Sequence, residues 1–178
     1  MPIIWTRDGI VDNDPWIIPE HHEDAEAGLE PGAAAVSKGK TLLTLEQALA
    51  LDGGESGFGV ILQPAEDVRA LASLLDRVAI LVLTFPAFSD GRAFSQAMLL
   101  KDRLGFSGEL RAAGTVLLDQ VPLMLRVGFT SFVVDHAPTL ERLEQKRLPG
   151  IDLHYQPSAD TTRDPGGYSW RRTAILNG

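Results

Sequence analysis

From about Gly59 onward the sequence alternates short β-prone runs with amphipathic segments, and this alternation confines the chain to a few architectures. "VILQP" precedes "AEDVRALASLLDRV", "AILVLTFP" precedes "GRAFSQAMLLKDRLG", "ELRAA" precedes "DQVPLMLRVG", "SFVVD" precedes "PTLERLEQKRL", and "IDLHY" closes the series. Five strands with four intervening helices predict an α/β fold, a mainly parallel sheet of about five strands covered by helices. Ala93, Ala97, Leu100 and Leu104 recur at helical spacing, and Gly105 and Gly128 stand where a helix ends in the left-handed conformation. Pro64 and Pro138 fall near helix starts, where a missing amide hydrogen costs little. The pattern is compatible with an open sheet or with one curled like part of a barrel; an open sheet is expected.

Ahead of this core, "PIIWTRDGIVDNDPWIIP" has two β-prone runs around turn-rich residues, which predicts a hairpin-like extension with Trp5 and Trp16 packed on something larger. "EHHEDAEAGLEPGAAAVSKGK" is acidic, rich in small residues and without apolar period, and reads as a linker. Thr44 followed by Gln47 has the spacing of a capping box opening a short helix, "LEQALAL". The chain therefore divides into an acidic N-terminal extension over residues 1–58, an α/β core over 59–156 and a tail over 157–178 that holds Tyr168 and Trp170.

Composition removes several chemistries. Without cysteine there is no disulfide, thiolate zinc site or thiolate-held iron–sulfur cluster. No apolar run reaches membrane-spanning length, and "MPIIWTRDG" lacks the layout of a signal peptide, so a soluble, cytoplasmic protein is expected. The net charge is −8, and residues 1–60 carry all of the excess, 11 Asp/Glu against 3 Lys/Arg, with 13 against 13 in the remainder. Such a chain repels a phosphate backbone, which argues against nucleic acid and for a basic protein surface as partner. "GGESGFG" has its glycines in the wrong order for a dinucleotide fingerprint, and no phosphate-loop motif is present. No cofactor is indicated. His21 and His22 beside Glu23 and Asp24 lack recognised metal-ligand spacing, so no metal is expected.

The charge inside "FSDGRAFSQAMLLKDRLGFSGELRAAG" is what calls for an explanation. In parallel α/β sheets ligands bind beyond the carboxyl ends of the strands, and "PAFSDGR" is the loop leaving the second strand. Ser89 or Asp90 can cap the following helix, whereas Arg92 in its first turn opposes the helix dipole and is placed to meet an anion. In "ELRAAG", Glu109 and Arg111 share one strand face, which implies either an edge strand or a polar pocket. Asp119 is the expected cap of the helix containing Pro122. The candidate ligand-binding residues are Asp90, Arg92, Ser95, Glu109, Arg111, Gly114, Asp119, Gln120 and Arg126, with Arg92 and Arg111 gripping an oxyanion or phosphate. His136, after a strand end, lies at the edge of the expected site, and His154 reads as structural.

Over roughly Val60 to Val134, "DGRAFSQA", "GELRAAG", "LLDQ" and "RVGF" occur in the order and spacing of a bacterial family of unknown function, often described as a probable oxidoreductase involved in sulfite reduction, which the chain closely resembles. The resemblance implies an association with assimilatory sulfite reductase, and its pattern marks Asp90, Gly91, Arg92, Ser95, Gly108, Glu109, Leu110, Arg111, Gly114, Asp119, Gln120, Arg126, Gly128 and Phe129. Two positions depart from it: Thr115 and Thr130 stand where the family commonly carries aspartate. The resulting expectation is an accessory protein of sulfite reduction acting with sulfite reductase or another protein of sulfur assimilation. The competing expectation is a small-molecule enzyme or sensor that binds an oxyanion at the strand ends.

Overall fold

The computed structural model describes residues 3–17, 40–51, 53–145 and 147–149. Its strands are β1 (Ile3–Thr6), β2 (Gly9–Val11), β3 (Trp16–Ile17), β4 (Lys40–Leu43), β5 (Phe58–Leu62), β6 (Val78–Phe85), β7 (Glu109–Gly114) and β8 (Ser131–Val134). The helices are α1 (Leu45–Leu49), α2 (Arg92–Met98), α3 (Val121–Arg126) and α4 (Ala137–Glu144). The sheet runs β2-β1-β8-β7-β6-β5-β4, with the two-residue β3 added at the β4 edge. It is mostly parallel; only β1 on β8 and β2 on β1 are antiparallel.

This sheet is larger than the five strands expected. β1 and β2 form a hairpin as predicted, but that hairpin is the end of the main sheet rather than an appendage to it, since β1 pairs with β8 along four residues. Trp16 does not join the hairpin; it begins β3 at the opposite edge. The expected helix over "AEDVRALASLLDRV" is instead two 3₁₀ turns, Val68–Leu71 and Leu75–Arg77. Asp67 starts the first by accepting from the Arg69 amide at 3.0 Å, and Val68 and Leu71 in the first turn and Leu75 in the second are buried. The α1 capping box forms as its residues dictate: Gln47 N donates to Thr44 Oγ1 and Thr44 N to Gln47 Oε1. The predicted linker, the strand "IDLHY", His21, His22, His154, Tyr168 and Trp170 lie outside the described residues.

β4 to β8 lie side by side in chain order without a reversal. Right-handed crossovers then put every connecting helix on one face, and the packing agrees. Leu81, Leu83 and Phe85 of β6, Leu110 and Ala112 of β7 and Phe132 of β8 form one core with Ala93, Ala97 and Leu100, Val121 and Met124, and Leu143. The alternate residues Ile80, Val82, Ala113, Val133, Ile4 and Leu42 form a separate cluster on the helix-free face, joined by Trp16 and Ile61.

That second face is concave. Only five residue steps separate Val11 of β2 from Trp16 of β3, at most about 18 Å of chain, whereas seven strand spacings in a flat sheet come to about 33 Å. The segment crosses the helix-free face, because its Asp14 bonds Arg111 of β7 there. The sheet therefore curls around this face and draws its edges together; the expected open sheet does not form.

Gly59 shows how closely the concave face is filled. A Cβ there would stand 2.5 Å from Leu42 Cδ2, 2.7 Å from Ile80 Cγ2 and 2.8 Å from Trp16 Cζ3. Gly59→Ala is expected to destabilise by about 1–2 kcal/mol, since the Trp16 ring has to move. Urea unfolding checks this, and a loss no greater than that of Gly53→Ala, whose surroundings are open, overturns it.

Candidate functional site

A cavity of about 720 Å³ opens at the end of the sheet where β7 and β8 begin. Registers explain its floor. Ile61, Val82, Arg111, Ser131 and Thr6 pair in succession across five strands, forming one row on the concave face. In that row Arg111 and Ser131 are the polar members that are buried.

Arg111 is 2% exposed, so its charge requires partners. Nη1 donates to Asp14 Oδ2 at 2.6 Å and Nη2 to Asp14 Oδ1 at 2.8 Å, a bidentate fork. Nε and Nη2 donate to Glu109 Oε1 at 3.1 and 2.8 Å, and Nε also reaches Ser131 Oγ at 3.1 Å. Ser131 Oγ in turn donates to Glu109 Oε1. Burial alone would depress the guanidinium's pKa, but Asp14 and Glu109 more than offset it and the net shift is upward. Arg111 is thus held charged by two carboxylates.

Lys101 borders the same cavity. Past Met98 the helix widens into a π-type turn, Leu99–Arg103, in which Leu104 N bonds Leu99 O. Lys101 Nζ then reaches Phe106 O at 3.1 Å and Gly108 O at 3.2 Å and lies over the Phe106 ring. Burial lowers its pKa. Gly128, at φ +105°, leaves room for the stem, since a Cβ there would lie 2.6 Å from Lys101 Cγ. Trp16, Phe129, Leu125 and Val11 supply apolar wall.

The sequence-predicted residues separate into two groups. Glu109 and Arg111 come together on β7, a central strand flanked by β6 and β8, so their shared face is a polar pocket and not an edge. Asp90, Arg92, Ser95, Gly114, Asp119 and Gln120 belong to the opposite end, around the loops that leave β6 and β7. Arg92 and Arg111 therefore do not converge on one anion. Arg92 instead pairs with its neighbour: Nε and Nη2 donate to Asp90 at 3.0 and 2.7 Å, which lowers the Asp90 pKa and raises that of Arg92. Asp90 does not cap α2 in the strict sense, because Gly91 is the N-cap; it accepts from the Arg92 amide two residues on. Ser89 is exposed, Ser95 is exposed on α2, and Asp119 is exposed one residue before the N-cap of α3, which is Gln120. Gln120 Nε2 donates to Phe88 O at 3.2 Å, tying the two loops together. Arg126 closes α3, with its Nε buried and unpartnered among the described residues. His136 is the N-cap of α4, its Nδ1 2.9 Å from Thr139 Oγ1.

Asp14, Ser131 and Lys101, which the hydrogen bonds around Arg111 and Gly108 bring to the cavity, were not anticipated. Ser131 had a signal, being the polar start of an otherwise apolar strand; Asp14 had none short of the crossing that delivers it. Thr130 Oγ1 bonds both the amide and the carbonyl of Leu110, and Thr130 lines the cavity.

The cavity's polar floor is built largely from the part of the chain that matches a family model, residues 59–165. The chain belongs to that family, the bacterial proteins of unknown function called DUF934. The DUF934 region contains Lys101, Glu109, Arg111 and Ser131, while Asp14 and Trp16 precede it. No curated protein and no solved structure matches the chain. Among the described residues no helix is long and apolar enough to cross a membrane, and no group of three or more His, Cys, Asp or Glu is placed to hold a metal.

Proposed function

We propose that this DUF934 member is a cytoplasmic accessory protein of assimilatory sulfite reduction that docks on sulfite reductase through its acidic N-terminal part. The observation that carries this reading is the concentration of the whole charge excess in residues 1–60. Of those acids, Asp8 and Asp12 are exposed beside the hairpin, and Asp8 borders the cavity. An acidic surface steers a protein onto a basic patch and confers salt-dependent association. The quoted motifs between Val60 and Val134, with their resemblance to a family linked to sulfite reduction, support the choice of partner. In this reading residues 1–58 carry the docking surface, 59–156 the α/β core and 157–178 a tail.

Replacing Asp8, Asp12, Glu20 and Glu23 together by lysine is expected to weaken binding to sulfite reductase by about tenfold or more and to flatten its dependence on salt. Calorimetry at two ionic strengths reads both quantities. Unchanged affinity removes the docking role.

The second reading, a small-molecule enzyme or sensor with an oxyanion at the strand carboxyl ends, draws on the Gln120 to Phe88 bond, which joins the two loops carrying Asp90, Arg92 and Gly114. In that reading Arg92 is the cation, without Arg111.

A further inference from the structure

We propose that the cavity at the start of β7 and β8 binds a small molecule bearing a primary ammonium group, and that Glu109 is the residue that receives it. The inference is independent of the partnership with sulfite reductase. It follows from which hydrogen-bonding capacity around Arg111 is used and which is spare.

An anion finds little there. A guanidinium has five N–H donors, and four of those of Arg111 are committed to Asp14, Glu109 and Ser131. The group is also 2% exposed. Two carboxylates around one guanidinium give the Arg111 cluster itself one negative charge, which opposes an oxyanion beside Glu109 and Asp14. Of the other cations that line the cavity, Lys101 has already given two hydrogen bonds to backbone carbonyls and Arg7 is engaged as well.

A donor finds a prepared acceptor. Glu109 Oε1 takes Arg111 Nε, Arg111 Nη2 and Ser131 Oγ, while Oε2 takes nothing among the described residues. The Glu109 side chain is 35% exposed and borders the cavity. Its orientation is fixed by three bonds on one oxygen, so the other is preorganised to accept. Asp14, 14% exposed, offers a second acceptor on the same side. Trp16 and Phe129 give apolar wall for a hydrocarbon body, and the volume lies within the range of about 300–1,000 Å³ usual for small-molecule sites. The ammonium belongs either to an amino acid, whose carboxylate uses the remaining Lys101 N–H, or to a simple amine.

Calorimetric titration of the full chain with L-leucine, L-leucinamide and 2-hydroxy-4-methylpentanoate tests the proposal. Leucinamide keeps the ammonium without the carboxylate, and the hydroxy acid keeps the carboxylate without the ammonium. Saturable millimolar or tighter binding of leucine or leucinamide, with the hydroxy acid at least tenfold weaker, is expected. Leucine binding better than leucinamide identifies an amino-acid site, and the reverse an amine site. Glu109→Gln, which preserves an acceptor for Arg111, is expected to weaken the amine at least tenfold with an unchanged circular dichroism spectrum. Binding of the hydroxy acid on a par with leucinamide, no binding of either ammonium compound, or full affinity in a folded Glu109→Gln protein each overturns the proposal. The ligand series on the unmodified chain decides the matter even if the variant does not fold.

Discussion

Asp14→Ala is expected to lower the unfolding free energy by about 3 kcal/mol, although Asp14 sits in a short connection between two small strands. The reason is where its partner lies. Arg111 is 2% exposed, and Asp14 takes both of its terminal nitrogens at 2.6 and 2.8 Å. Removing the carboxylate leaves a buried guanidinium with Glu109 alone, and uncompensated buried charge is among the costliest lesions a core can suffer. It also frees the segment that ties the two edges of the sheet together. Asp8→Ala, an exposed neighbour, is expected to change stability by less than about 0.5 kcal/mol. The paired replacement Asp14→Leu with Arg111→Met separates charge from position: exchanging a buried ion pair for apolar side chains is often close to neutral, so the double variant should recover much of the loss. Urea denaturation of the four proteins measures all of this. An Asp14→Ala protein within about 0.5 kcal/mol of the parent would mean that water reaches Arg111 in place of the carboxylate.

The same pair marks the boundary of what could be read from sequence. Glu109 and Arg111 are two residues apart, so strand alternation alone placed them on one face, which left an edge strand or a polar pocket as the alternatives. Asp14 is 97 positions from Arg111. Nothing local relates them, and only the curl of the sheet, itself a consequence of the short link between β2 and β3, brings them together. The cavity at Arg111 also lies at the opposite end of the strands from the loops that carry Asp90, Arg92 and Gly114. The expectation of a site at those loops rests on loops that diverge where strand order reverses, and here β4 to β8 proceed in order without reversal. Local signals fared better: the Thr44 and Gln47 box, the buried stripe of Ala93 and Ala97 on α2 continued by Leu100 in the π-type turn, and the positive φ of Gly105 and Gly128 are all present. In the stretch 65–78, Val68, Leu71, Leu75 and Val78 recur at α-helical spacing, yet the chain there forms two separate 3₁₀ turns, each too short for that period to apply. β4 went unseen because four residues following an acidic, small-residue-rich stretch carry too short an apolar run to identify.

Gly114→Ala is expected to cost about 3 kcal/mol, and it decides what the last residue of "GELRAAG" is for. Two effects add. Gly114 has φ +89°, where an alanine is strained by about 1–2 kcal/mol. In addition, its Cβ would lie 2.5 Å from the carbonyl oxygen of Phe85, and that oxygen belongs to backbone that cannot rotate away, which adds about 1–3 kcal/mol of overpacking. Gly105 provides the comparison, because it has φ +68° with open space around it; Gly105→Ala should show the conformational cost alone, about 1–2 kcal/mol. The close approach has a purpose that needs no ligand. Thr115 N donates to Phe85 O at 2.7 Å, so the chain leaving β7 is fastened to the end of β6, and from there it runs to Gln120, which bonds Phe88 O. Gly114 thus sets the two loops against each other, and its place among the candidate residues follows from that geometry. Equal losses for the two alanine variants in urea unfolding would show that β6 yields at Phe85, and the junction would then be a flexible one.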